Sequence, residues 1–248
     1  MYLILGVVLI LGVWCALSFT KIVSNGILPT PLQVILSLKE LHLKDGLVRN
    51  AFTSIYLNFC GYLEALAIAI PLGFTIGLVP VVRGLLNKPI DTMRFIPLTA
   101  VTGLFIAWFG IGDPMKIHFL AFGILVYLLP IIVQRIDEVD DIYLKTVYTL
   151  GASRWQTLRT VYFPSVLSKL SDDVRVLVAI SWTYIIIAEM LNSTGGLGSL
   201  IFKVGQRQGR IDKVFAILLV IIFIGFLQDR LFMLFDKLLF PHKHRTTK

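Results

Sequence analysis

Residues 137–164 read Asp-Glu-Val-Asp-Asp-Ile-Tyr-Leu-Lys-Thr-Val-Tyr-Thr-Leu-Gly-Ala-Ser-Arg-Trp-Gln-Thr-Leu-Arg-Thr-Val-Tyr-Phe-Pro. The rest of the chain is dominated by hydrocarbon-soluble runs, and this is its longest segment with the make-up of water-exposed, folded protein. The local chemistry predicts two short helices joined by a bend. Asp140 or Asp141 can cap the first, because a carboxylate accepts the free N–H groups of a first turn and suits the positive end of the helix dipole. Gly151 is the residue type that ends a helix in a left-handed conformation. Ser153 and Gln156 have capping-box spacing at the start of the second helix, and Pro164 is expected to stop that helix or to start the next. The expected use of such a hairpin is docking, although the bend alone leaves function open.

The surrounding composition sets the fold class. The 248 residues are 56% hydrophobic and 15% charged, with a mean hydropathy of +0.83, which is far from the balance of a soluble domain. An all-α integral membrane protein follows, embedded in membrane lipid. Six spans of about 20 residues would use roughly half the chain and leave no room for a separate soluble domain. The expected spans are residues 2–19, 54–80, 96–109, 117–133, 174–191 and 214–227. The first lacks the basic flank of a secretory signal and is read as a retained membrane helix. Pro97 and the residues before it can extend the short third run as a bent helix.

Between the spans, Thr30-Pro31-Leu32-Gln33 has the form of an N-cap, a Pro at the first helical position and a Gln at the third, and Gly46 can end that helix. It is expected to lie at the membrane surface. Residues 81–94 read as a basic turn carrying Arg83, Lys88 and Arg94. Ser171, Asp172 and Asp173 read as caps for the fifth span, with Arg175 snorkelling at its end, while Gln228, Asp229 and Arg230 read as the wetter end of the sixth. Glu64 falls inside a span, where a carboxylate is expensive unless it faces protein or water. It is therefore either a pathway group or a hydrogen-bonding partner within the bundle. His118 reads as an interfacial histidine.

The net charge of +8 is scattered between apolar runs and forms no single basic stripe, so nucleic acid is not an expected partner. Cys15 and Cys60 have no neighbouring ligand residues and read as packing groups. No phosphate-binding Gly-x-x-x-x-Gly-Lys-Ser/Thr loop, no His-Glu-x-x-His and no Gly-x-Ser-x-Gly occurs. No catalytic residue, metal site or cofactor is therefore expected. Gly195-Gly196-Leu197-Gly198 superficially resembles a nucleotide loop, but it follows a membrane helix where such a loop would follow a strand.

The hairpin also carries a family resemblance. It is similar to the cytoplasmic loop signature of ABC-importer permeases: Glu-Ala-Ala, three residues, Gly, nine residues, then Ile-x-Leu-Pro. Aligned on Gly151, Val161 and Pro164 fall on the Ile and Pro, Phe163 replaces the Leu, and Lys145, Thr146 and Val147 replace the Glu-Ala-Ala triplet. Outside the loop, Leu28-Pro29-Thr30-Pro31, Trp108-Phe109-Gly110-Ile111-Gly112, Ala188-Glu189-Met190 and Gly196-Leu197-Gly198 resemble, in order, motifs of the nitrate, sulfonate and taurine branch.

The resemblance implies a type I importer permease fold with six transmembrane helices, forming one domain over residues 1–248. In it, 1–53 would be the first span and external connector, 54–240 the core, and 134–173 the coupling loop. It implies a homodimer in the cell inner membrane with both termini cytoplasmic, a placement that puts the larger share of the Lys and Arg residues inside. It also implies two cytoplasmic ATPase subunits that bind the ATP and an external solute-binding protein that delivers a small molecule. The ATPase-docking residues would be Lys145, Thr146, Val147, Leu150, Gly151, Ala152, Ser153, Arg154, Trp155 and Pro164. Glu64, Glu189, Met190, Gly196 and Gly198 would serve the translocation pathway or gate, with Ser193 and Thr194 beside them. The alternative is a small channel or secondary transporter, for which more charges within the membrane would be expected.

Overall fold

The computed structural model describes residues 2–20, 22–24, 26–191 and 194–244, and among these the regular structure is helical throughout. The elements are α1 (Tyr2–Phe19), α2 (Pro31–Lys44), α3 (Leu47–Leu78), α4 (Pro80–Met93), α5 (Leu98–Phe109), α6 (Asp113–Asp137), α7 (Asp141–Thr149), α8 (Arg154–Thr157), α9 (Phe163–Leu191), α10 (Leu197–Phe202) and α11 (Ile211–Leu239). Four helical stretches are long and apolar enough to cross a bilayer: Leu47–Leu78, Asp113–Asp137, Arg154–Leu191 and Ile211–Leu239. The pair α4 and α5, bent by 106°, would make a fifth span, and α1 adds a shorter apolar run, Leu5–Phe19.

The chain divides into two compact units, Met1–Tyr56 with Glu189–Leu227, and Leu57–Ala188 with Gln228–Lys248. In the first, α1 is tied down by the Trp14 indole N–H, which donates to the Pro29 carbonyl at 2.9 Å. The Trp14 ring also stacks on Phe215. The capping box opening α2 forms as expected, with Gln33 N–H donating to Thr30 Oγ1 and Thr30 N–H to Gln33 Oε1. The helix then turns its buried face, Val34, Ser37 and Leu41, into this unit.

An ion network joins α2 to the start of α11. The almost fully buried Lys213 meets Asp45 at 2.7 Å and Glu40 at 3.2 Å. Arg210 reaches Glu40 at 3.0 Å and Asp212 at 2.8 Å. The Arg210 hydrogen bond first, and Lys213 next, hold the Glu40 carboxyl below its ordinary value. Burial pulls Asp45 upward, but the Lys213 hydrogen bond and the charges of Lys213 and Lys203 together outweigh it, so the net shift is down. A carboxyl whose folded pKa is depressed contributes stability above its unfolded pKa and loses it as pH falls through the folded value. Between about pH 5 and 3 the wild type should therefore lose more thermal midpoint in detergent than Glu40→Gln/Asp45→Asn. Equal acid sensitivity of the two proteins would show that this network adds no stability.

In the second unit, Phe105, Met115, Phe119 and Ala188 form a core flanked by Leu98, Phe122 and Tyr184. Helices α3 and α6 run close together because Gly61, Gly73 and Gly77 leave space that Leu120, Ile132 and Ile136 occupy, the small-residue packing of membrane helices. Three expectations need correcting here. Residues 81–94 form helix α4 and not a turn: Pro80 sits at its start, where the missing N–H costs nothing, and Arg83 reaches Asp137 at 2.8 Å.

Ser171, Asp172 and Asp173 cap nothing, because a single helical run passes through them from Arg154 to Leu191. Asp173 instead takes two 2.7 Å hydrogen bonds from Arg135, and Ser171 donates to Asp236. Gln228, Asp229 and Arg230 likewise lie within α11. There Gln228 accepts from the Trp182 indole and Asp229 pairs with Arg175. Pro164 falls in the first turn of α9, the second of its two expected placements. A proline in a helix lacks an N–H and crowds the carbonyl four residues back. The wider π turn Leu158–Tyr162, in which the Phe163 N–H bonds to the Leu158 carbonyl, carries the helix across that defect.

Candidate functional site

Two clusters of the expected residues are built with care, one in each unit. In the second unit the polar hairpin is rigid at every joint. The Asp140 side chain accepts from the Ile142 N–H at 2.9 Å. At the other end of α7, the Ala152 N–H bonds to the Val147 carbonyl and the Gly151 N–H to the Tyr148 carbonyl, both at 3.0 Å. This is a complete Schellman ending, and Gly151 has the left-handed φ of +75° that it requires. The capping box at α8 closes with Ser153 N–H on Gln156 Oε1 at 2.7 Å and Gln156 N–H on Ser153 Oγ at 3.3 Å.

The hairpin presents large apolar side chains to the outside. Leu150 is 80% and Trp155 67% exposed, and Ile142, Tyr143 and Tyr148 are exposed beside them. Sequence reading selects Leu150 and Trp155 but misses Ile142, Tyr143 and Tyr148. Their signal is an apolar residue recurring among charges on a short amphipathic helix. Lys145, Thr146, Val147, Ala152 and Arg154 lie on the same two helices and the joint between them. Under the hairpin, Ile70, Pro71 and Phe74 of α3 face Trp155, Leu158 and Phe163 across a cavity of about 370 Å³.

The first unit brings Glu189, Gly196 and Gly198 together. Glu189 is wholly buried. Its carboxylate accepts from Ser54 Oγ at 2.7 and 2.9 Å and from the Gly198 N–H at 2.8 Å. Ser54 Oγ in turn accepts the Leu197 N–H at 2.8 Å, and Asn50 Oδ1 accepts the Gly196 N–H at 2.9 Å. The N–H groups at the start of a helix have no partner within it; here a carboxylate, a hydroxyl and an amide oxygen supply those partners for α10. A Cβ on Gly196 would fall on the carboxylate itself, and its φ is +101°. The arrangement is a latch holding the glycine loop against the end of α9. Met190 is half-buried next to it, and Ser193 lies outside the described residues.

Asn50, Ser54, Asn58 and Tyr62 recur at every fourth position of α3, and sequence reading misses all four. Within the second unit, Asn58 donates to Ser181 at 2.9 Å, and the Tyr62 hydroxyl donates to the Val174 carbonyl at 2.9 Å. The stripe is visible as a spacing; its partners, more than 100 residues away, are not. Glu64 belongs to a different pair. His118 Nδ1 lies 2.7 and 3.0 Å from its two oxygens, and the imidazole packs on Phe109 with ring centroids 4.4 Å apart. The two side chains keep 29% and 37% of their surface open.

Apolar helices long enough to span a bilayer, with a rigid, exposed hairpin between them, define a helical membrane protein. The family of binding-protein-dependent transport system inner membrane components matches residues 69–240, and the chain belongs to it. The chain is 28% identical over 225 residues to the taurine transport system permease protein of Escherichia coli (strain K12), covering 89% of this chain and 82% of that one. It is also 28% identical over 231 residues to the protein assigned to aliphatic sulfonate transport in Bacillus subtilis (strain 168), covering 92% and 82%. Among solved structures, the inward facing MetNI methionine ABC transporter superposes with a TM-score of 0.70 at 16% identity, over 78% of this chain and 95% of that one. That likeness concerns the fold. The protein is thus a permease component of an ABC importer, and the channel or secondary-transporter reading falls away.

Proposed function

We propose that the chain works as one of two identical permease subunits, with both termini in the cytoplasm, six spans, two ATPase subunits docked on the hairpin and an external binding protein delivering a small solute. Counting six spans takes the bent pair α4 and α5 as one and α1 as another. The observation that carries the reading is the hairpin: a doubly capped joint with Leu150 and Trp155 exposed suits a surface that a partner covers. ATP closure of the ATPase pair would move the hairpin as a rigid lever, and α9, continuous with α8, would transmit the motion. The Glu189 latch would hold the outer gate loop beyond Thr194, and the half-open Glu64–His118 pair would face the pathway, where a charged group can meet water.

The chain's part is mechanical, and ATP hydrolysis belongs to its partners. The purified chain in lipid should hydrolyse ATP no faster than empty vesicles, and adding the partner ATPases should restore hydrolysis that the binding protein stimulates. Robust hydrolysis by the chain alone would defeat this reading.

A further inference from the structure

In the second unit a cavity of about 350 Å³ opens between α3, α9 and α11. Its walls are hydrocarbon: Leu66 and Ile70 from α3, Leu170 from α9, Phe232 and Phe235 from α11. That volume would hold about ten waters, but such walls offer them too few polar partners to be stable there. Around these helices the solvent is lipid, so an acyl chain is the occupant that suits the cavity.

The rim selects the headgroup. Asp172, Arg175, Asp236 and Lys237 line it. Arg175 is engaged by Asp229 at 2.8 Å. Lys243 sits among Asp172 at 2.9 Å, Asp236 at 3.3 Å and Ser171 at 2.9 Å. Among the described residues that line the cavity, two carboxylates, Asp172 and Asp236, thus stand against two cations, Arg175 and Lys237. Of these, Asp172 is 68% exposed at its side chain, and Lys237 is exposed with no ion pair among the described residues. One exposed carboxylate, shared with Lys243, and one exposed ammonium at the mouth of an apolar cavity match a headgroup that carries a phosphate and a primary amine.

We propose that this cavity is a binding site for a phosphatidylethanolamine-type lipid. One acyl chain lies between α9 and α11, the phosphate meets Lys237 and the ammonium donates to Asp172. An anionic headgroup without an amine gains Lys237 but brings no donor to Asp172. A choline headgroup has the right charges but no N–H to donate. Neither meets the whole rim.

The test is native mass spectrometry of the intact transporter, released from mild detergent after equilibration with equal amounts of palmitoyl-oleoyl phosphatidylethanolamine, phosphatidylcholine and phosphatidylglycerol. The ethanolamine lipid should be retained most. Asp172→Asn and Lys237→Gln should each lower its retention about two- to fivefold, the size of one exposed charge contact. Both side chains are exposed, and unchanged melting would show that the variants fold. Equal retention of the choline lipid would overturn the ammonium contact, and preference for the glycerol lipid would overturn the proposal outright. Retention unmoved in both variants would do the same. So would a disulfide between two copies through Leu239→Cys at the exposed edge of the cavity, which would assign the space to a second subunit.

Discussion

Gly196→Ala is expected to abolish uptake and to lower the thermal midpoint of the purified protein more than Ser54→Ala or Glu189→Gln does. The new methyl group would sit on the Glu189 carboxyl atoms, closer than any real contact, at a φ of +101°. A left-handed non-glycine residue costs about 1–2 kcal/mol. Displacing the carboxylate also strands Ser54 Oγ–H and the Gly198 N–H, each worth about 1–3 kcal/mol once buried without a partner. The total is about 3–8 kcal/mol, a large share of the stability of an ordinary domain. Ser54→Ala removes a donor to Glu189 and the acceptor of the Leu197 N–H without adding bulk, so it should cost about 1–3 kcal/mol and leave measurable uptake. Glu189→Gln keeps the shape but turns one acceptor into a donor facing other donors, and should fall between the two. Wild-type melting in Gly196→Ala would mean that the loop does not rest on Glu189.

What can be read in advance follows the range of the interactions. The capping boxes at Thr30 and Ser153, the Asp140 cap and the left-handed Gly151 are set by residues within five positions, and each forms as its sequence dictates. Helix ends inside the membrane are misread because a polar residue in an apolar run looks like its boundary. Asp173, Gln228 and Asp229 are instead satisfied by Arg135, Trp182 and Arg175 on other helices, and no spacing in the sequence announces those partners. Pro164 leaves its two placements open for a related reason, since the π turn that joins α8 to α9 ahead of it is a property of the backbone around it and not of the proline. Glu64 and His118 each stand out, yet with 54 residues between them nothing links one to the other. Glu189 stands out too, but the residues that decide its role, Asn50 and Ser54, look like ordinary polar positions at the start of a helix.

Gly151→Val is expected to uncouple ATP hydrolysis from transport while leaving an inserted, folded protein. No heavy atom of the chain lies within 4 Å of a Cβ built there, so the substitution meets no internal clash. Its cost is the left-handed φ of +75°, about 1–2 kcal/mol for a residue with a Cβ, and more for a β-branched side chain, for which positive φ is an outlier. The chain can relieve that strain by opening the Schellman ending, releasing the Ala152 and Gly151 N–H groups from Val147 and Tyr148. Such a change alters the angle between α7 and α8, and with it the relative aim of Leu150 and Trp155. Binding-protein-stimulated hydrolysis and uptake should therefore fall together, by about tenfold if the opened joint is favoured by about 1.4 kcal/mol, while membrane insertion stays normal. Gly151→Asn is the discriminating control, because asparagine tolerates the left-handed region and adds similar bulk. Asparagine should retain most of the coupling that valine loses. If both variants fail alike, bulk against the partner ATPase and not the backbone angle is what matters; if valine retains full uptake, the hairpin is not a close-fitting joint.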